Sequence, residues 1–436
     1  MSLFGALNTA VSGLGAQAAA FSNIGDNIAN SQTTGFKGVN TSFEDYLTTS
    51  NSQVNESGAV VARPDYANSL QGAVTQSGNP LAMAITGQGF FTVSQQSGAT
   101  THGDPVFSSQ VAYTRAGDFT VNNNGFLVNS AGNFLTGYVQ DSATGLLNKN
   151  VLKPIHIGES GYAPIPTSEV TLSANLPATP SSATPIISDV PVIDALGQSK
   201  TVQLSWTQVA GTPNAWQVAI STPGSATPLG TANVTFGTAG NPGAPDGTPG
   251  SITAASGAVT GSTFVTGNPA TLGFTANFGS GSQVISLNLG TYGQAGGLTQ
   301  FAGTDYNPRA LTQNGVAPGS FSSVSAQTNG DIIVNFDNGQ SRTVAHVPIT
   351  TFANPDALQR LSGQAFDATV TSGSPQVLQA GANGAGAIVT NALEASNVDI
   401  AAEFTKLIVA QRAYSANTKV VTTAEEMLQQ TIDMKR

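Results

Sequence analysis

Apolar residues at the two ends of this chain recur in steps of four and three; in the middle they alternate. Leu3, Leu7, Ala10, Leu14, Gln17, Phe21, Ile24 and Ile28 predict an amphipathic helix with Ser2 as its N-cap. At the far end Ile400, Phe404, Leu407, Tyr414, Val421, Leu428 and Ile432 form a coiled-coil-like seam, interrupted by Gln411, Thr418 and Glu425. No Pro or Gly falls between Asn397 and Arg436, so this helix runs roughly 50 Å at 1.5 Å per residue. Ser396 and Asp399 have capping-box spacing, and Lys435 and Arg436 suit the C-terminal end of the dipole.

A second apolar line, Val409, Ala413, Ala416, Val420 and Met427, lies away from that seam. A helix apolar on two faces needs two neighbours. The N-terminal helix, parallel or antiparallel, supplies one; another copy of the chain supplies the other. The N-terminal helix carries Gly5, Gly13, Gly15 and Gly25, each costing about 1 kcal/mol relative to Ala. It is therefore expected to be disordered in the free monomer and ordered only by packing.

Between the helices the pattern is β. Residues 31–70 are polar and uneven, with Phe43, Tyr46 and Leu47 as lone anchors, and are expected to be extended connecting chain. Short strands follow at 81–85, 89–93, 113–121 and 126–128, with Asn122-Asn-Asn-Gly125 as a turn. Strict alternation at 201–206 and 215–220, around Gly211-Thr-Pro213, marks a different β region. The first texture resumes with 332–336 and 343–347 around Asp337-Asn-Gly339. Phe352–Arg360 predicts a short capped helix or turn. The expected fold is mainly β with long terminal α-helices. Residues 1–30 and 397–436 form the helix pair, and 31–70 and 365–396 connect it onward. Residues 71–145 and 290–364 form a first β domain, with 146–289 inserted as a second.

Composition narrows the function. Charged residues make up 9% of the chain, against about 25% in an ordinary soluble domain. The net charge of −10 leaves no basic stripe for nucleic acid. With no Cys, disulfides, thiolate metal sites and cysteine nucleophiles are excluded. No apolar run is long enough for a membrane span. The first basic residue is Lys37, so a cleaved secretory leader is not expected.

No catalytic, cofactor or metal site is expected. His102, His156 and His346 are far apart and lack a nucleophile elbow. The Gly87/Gly89 and 381–386 stretches are incomplete phosphate loops, and 337–339 lacks the acidic residues of a calcium loop. Glu394 and Asp399 are explained by helix capping, and Trp206 and Trp216 by a β core.

Several motifs resemble the flagellar rod and hook family. Asn27-Ile-Ala-Asn30-Ser-Gln-Thr-Thr34-Gly35-Phe36-Lys37 is similar to its N-terminal signature. Leu393-Glu-Ala-Ser-Asn397-Val-Asp399 and Ile408-Val-Ala-Gln411-Arg412-Ala-Tyr-Ser-Ala-Asn417 are similar to its C-terminal one. Gly87–Phe91, Tyr113–Asp118 and Phe352–Pro355 are shared too. The hook branch matches best, through Ile193-Asp-Ala-Leu-Gly197 and the strands carrying Trp206 and Trp216; residues 221–280 agree only in composition.

The resemblance implies a structural subunit, not an enzyme. It implies that the terminal helices build the inner layer of a curved tube, a universal joint between rod and filament, with two nested β domains outside. Export without a cleaved leader, through the flagellar export apparatus, is implied as well. The implied partners are further copies, the distal rod protein, the hook cap protein and the hook–filament junction proteins. The competing readings are a distal rod subunit and, from a different class, a surface adhesin or carbohydrate-binding β protein.

Overall fold

The computed structural model describes residues 3–50, 55–99, 105–141, 146–158, 161–225, 227–238 and 243–434. Ser2, His102, Lys435 and Arg436 lie outside the described residues. The chain divides into two compact units. The first comprises Met1–Glu159, Ser322–Asn335 and Ser341–Arg436; the second comprises Ser160–Phe321 and Phe336–Gln340.

In the first unit, helix α1 spans Leu3–Ala29 and helix α2 spans Ile400–Asp433. α2 begins later than the Ser396–Asp399 spacing suggested. Asp399 is itself the N-cap, its side chain accepting from the Ala401 and Ala402 amides. The Ser396 hydroxyl instead accepts from Val398 N, closing a tight turn one step earlier.

The segment expected to be plain connecting chain is a long antiparallel ribbon, β1 (Val39–Ser50) with β2 (Asn55–Tyr66), in register from Val39↔Tyr66. Polar residues dominate it, because most of its surface meets water rather than a core. A thirteen-stranded sheet system follows it in the chain. Its central strands, Phe90–Ala99, Pro105–Thr114 and Phe134–Val139, pair antiparallel. Phe90, Tyr113, Phe352 and Phe366 pack edge to face, and Leu358 completes this buried cluster. The expected helix at 352–360 is reduced to one 3₁₀ turn, Pro355–Ala357.

The second unit contains two five-stranded sheets with one core. Strict alternation places Val202, Leu204 and Trp206 of one strand and Trp216, Val218 and Ile220 of its neighbour inside. The turn between them carries Gly211 at φ 77°, a conformation that suits glycine. This unit continues past residue 289, where the sequence pattern had placed its end. Asn307–Gln313 pairs antiparallel with Glu169–Asn175, from Val170↔Gln313 to Asn175↔Asn307. It is a mostly exposed edge strand, so it lacks the apolar alternation that would reveal it.

Candidate assembly surface

Helices α1 and α2 run antiparallel. Asn27 bonds Glu403, the rings of Phe21 and Tyr414 meet edge to face at 6.2 Å, and Gly13 faces Asn417. The ribbon lies along α1 on another side. The Asn8 amide donates to Gly58 O, Ser12 Oγ accepts from Val60 N, and Asn23 donates to Thr41 Oγ1.

Along α1, Ala10 and Ile24 are buried, and Leu7, Leu14, Gln17, Phe21 and Ile28 are half-buried. Leu3 opens the helix. On α2 the line facing α1 is rotated from the expected seam. Leu407, Val421 and Leu428 are half-buried, but they alternate with buried Glu403 and Ala410, half-buried Asn417 and buried Ala424. The polar interruptions at Gln411, Thr418 and Glu425 are thereby explained, since all three point outward. Small residues at 410 and 424 allow α1 to approach closely. Ile400, Phe404, Tyr414 and Ile432, expected within the seam, are instead exposed.

The second face is exposed at Val409 (62%), Ala416, Val420 and Met427, with Ala413 half-buried. A cleft of about 340 Å³ opens beside it, lined by Ala20, Ile24, Val39, Phe43, Val409 and Ala413 among others. Among the described residues nothing covers this apolar face.

The motif residues do different work, tying the terminal segments to the β sheet system. Asn27 bonds both backbone groups of Val39 and reaches Glu403. Asn30 folds back on Asp26, and Thr33 hydrogen-bonds to Asn30. Thr34 is half-buried ahead of Gly35, whose φ is 69°. A Cβ on Gly35 would stand 2.5 Å from Ala116 N, so only glycine fits there. Phe36 is buried beneath the Arg360 guanidinium. Asn397 accepts from Gly38 N and donates to Ala67 O and Leu70 O. Asp399 caps α2, whereas Gln411 and Arg412 are exposed.

At the centre sits a fully buried ionic clasp. Glu394 Oε1 accepts from Lys37 Nζ at 2.5 Å and from Gly72 N, and Oε2 accepts from Arg115 at 3.0 Å. Lys37 also donates to Leu70 O, and Arg115 to Ile85 O and Gly87 O. Burial lowers the pKa of Lys37 against the opposing pull of Glu394. Glu394 is thus a buried anchor, not the capping group the sequence suggested. Arg115 and Glu394 were missed as functional residues. Their signal was a charge inside a motif, in a chain where charge is scarce.

Among the described residues no three His, Asp or Glu gather as metal ligands. His156 packs on Phe126, and His346 bonds Asp331. Trp206 and Trp216 lie within the core of the second unit. No helix among the described residues is long and apolar enough to cross a membrane.

The chain is similar to known proteins along its whole length. Residues 7–37 match the family described as flagella basal body rod protein, and 389–434 the flagellar basal body rod FlgEFG protein C-terminal family. Residues 84–174 match the flagellar hook protein FlgE/F/G D1 domain, and 165–316 the flagellar basal body protein FlaE D2 domain. Flagellar hook protein FlgE of Brucella abortus is 31% identical, with 100% of both chains covered. That of Salmonella typhimurium is 29% identical over 98% of this chain and 99% of its own. The solved Helicobacter pylori hook protein FlgE2 has 16% identity and a TM-score of 0.46, covering 73% of this chain and all of that one; the assignment does not rest on it. The full-length match to hook proteins, together with the four family matches, means that this chain belongs to the flagellar hook protein family, whose members are structural proteins and not enzymes.

Proposed function

We propose that this hook subunit polymerises through its terminal helices into a curved, flexible tube that passes motor torque from rod to filament. The observation that carries the reading is the unequal covering of α2. Its own chain buries one side, while Phe404, Ile408, Val409, Val420 and Met427 stay exposed. Covering such side chains with a neighbouring copy stabilises association by about 25 cal/mol per Å². Repeated head-to-tail contacts of this kind that do not close into a ring build a helical tube.

A bending joint also needs contacts that exchange easily. The sparsely charged, polar surfaces of the β units suit that role, because a few weak hydrogen bonds can be traded between neighbours at little cost. The helices then form the inner wall. The distal rod protein, the hook cap protein, the hook–filament junction protein and the flagellar export apparatus are the partners this position requires. The site is the cell exterior. Electron microscopy of the purified protein at high concentration tests the reading. Curved tubes are expected. Straight, stiff tubes would favour a rod-like role, and the absence of any tube an adhesin-like one.

A further inference from the structure

We propose that the cleft between the C-terminal end of α1 and residues 360–366 is a seat for a carboxylate of a second copy, with Arg360 as its anchor. The proposal rests on the polymer reading and names a contact within it. The cleft has a volume of about 280 Å³ and is lined by Asp26, Asn30, Phe36, Arg360 and Gln364 among others. The Arg360 guanidinium stands 4.9 Å from the Phe36 ring centre and 5.8 Å from that of Tyr66. It forms no hydrogen bond or close ion pair with any described residue; Asp26 acts on it only through space. Asp26 Oδ1 instead accepts from Asn30. Aromatic rings thus hold the guanidinium while leaving its donors unused. A positioned, planar guanidinium is suited to bidentate capture of a carboxylate.

Two further observations favour an anion. Lys37, which also lines the cleft, shares the single carboxylate of Glu394 with Arg115. Two cations on one anion leave an excess positive charge next to the cleft. At the rim, Gln364 has φ 53°, a backbone state that costs energy in a non-glycine residue and recurs at binding sites. A second copy fits as the donor, since each chain carries 24 acidic residues against 14 basic ones.

The critical concentration for polymerisation of the full chain tests the seat. Arg360→Gln should raise it about tenfold, the loss of one charge-assisted pair. Arg360→Lys should fall between, because charge survives but the planar fork does not. Asp26→Asn, which removes the competing carboxylate, should lower it. Adding millimolar acetate should raise the wild-type value and leave that of Arg360→Gln unchanged if a free carboxylate can occupy the seat; an acetate effect of the same size in Arg360→Gln would overturn the proposal. An Arg360→Gln chain that polymerises at the wild-type concentration overturns the proposal. If that variant also melts earlier, Asp26→Asn decides, and an unchanged or raised critical concentration there overturns it. Failure of the unsubstituted chain to polymerise at all overturns the polymer reading, and the seat with it.

Discussion

Glu394 is the residue on which the attachment of both termini converges. Its carboxylate holds Lys37 and Arg115, and its backbone carbonyl accepts from Gly35 N. Such a buried network is weak evidence for stability, because desolvation offsets the Coulombic gain. Breaking it from one side is costly. Glu394→Ala leaves two buried cations without their anion and should destabilise the monomer by about 3–5 kcal/mol. Replacing all three with Lys37→Met, Arg115→Met and Glu394→Leu should cost much less. Chemical denaturation of both variants checks this, and a triple variant as unstable as the single one would contradict it.

Lys37 gives the clasp a pH dependence. Burial lowers its folded pKa below the ordinary 10.5, with Glu394 opposing. A depressed folded pKa means that folding favours the deprotonated amine. Its stability contribution is therefore complete above about 10.5 and is lost as the pH falls through the folded value. Between those limits the wild type should gain melting temperature relative to Lys37→Met as the pH rises. A difference that is flat or shrinks from pH 8 to 11 would count against it.

At the scale of the element, α1 is a poor helix held by its neighbours. Gly15 and Gly25 have nothing within 4 Å of where a Cβ would stand, whereas at Gly13 that Cβ would meet Asn417 Nδ2 at 3.0 Å. Gly15→Ala and Gly25→Ala should each stabilise the monomer by about 1 kcal/mol. Gly13→Ala should gain less, since Asn417 must move aside. Thermal unfolding of the three variants checks the order. Both helices were legible in the sequence, because a period near 3.6 persists over many turns without proline. The Trp206 and Trp216 strands were legible too, through strict alternation. The β1–β2 ribbon was not, because Phe43, Tyr46 and Leu47 are exposed on it and set no clear inside and outside. Nor was the clasp, whose Lys37 and Glu394 are 357 residues apart. Which of two possible seams on α2 faces α1 was also hidden. Leu407, Val421 and Leu428 belong to either, and Glu403, Ala410, Asn417 and Ala424 mark the one that faces α1.

Across the whole molecule, the groups that hold one chain together differ from those proposed to join chains. Motif residues such as Asn27, Gly35, Lys37 and Asn397 act within the chain, whereas the exposed apolar residues of α2 are the ones we propose meet neighbouring copies. Removing residues 400–436 should leave the β units folded but unable to polymerise. Removing the inserted second unit should leave polymerisation intact and the tubes straight or stiff. The most direct test is sedimentation of the 400–436 truncation beside the full chain at concentrations where the full chain forms tubes. The truncated chain should be a folded monomer that stays in the supernatant; tubes from it would rule out the terminal helix as the joint between copies.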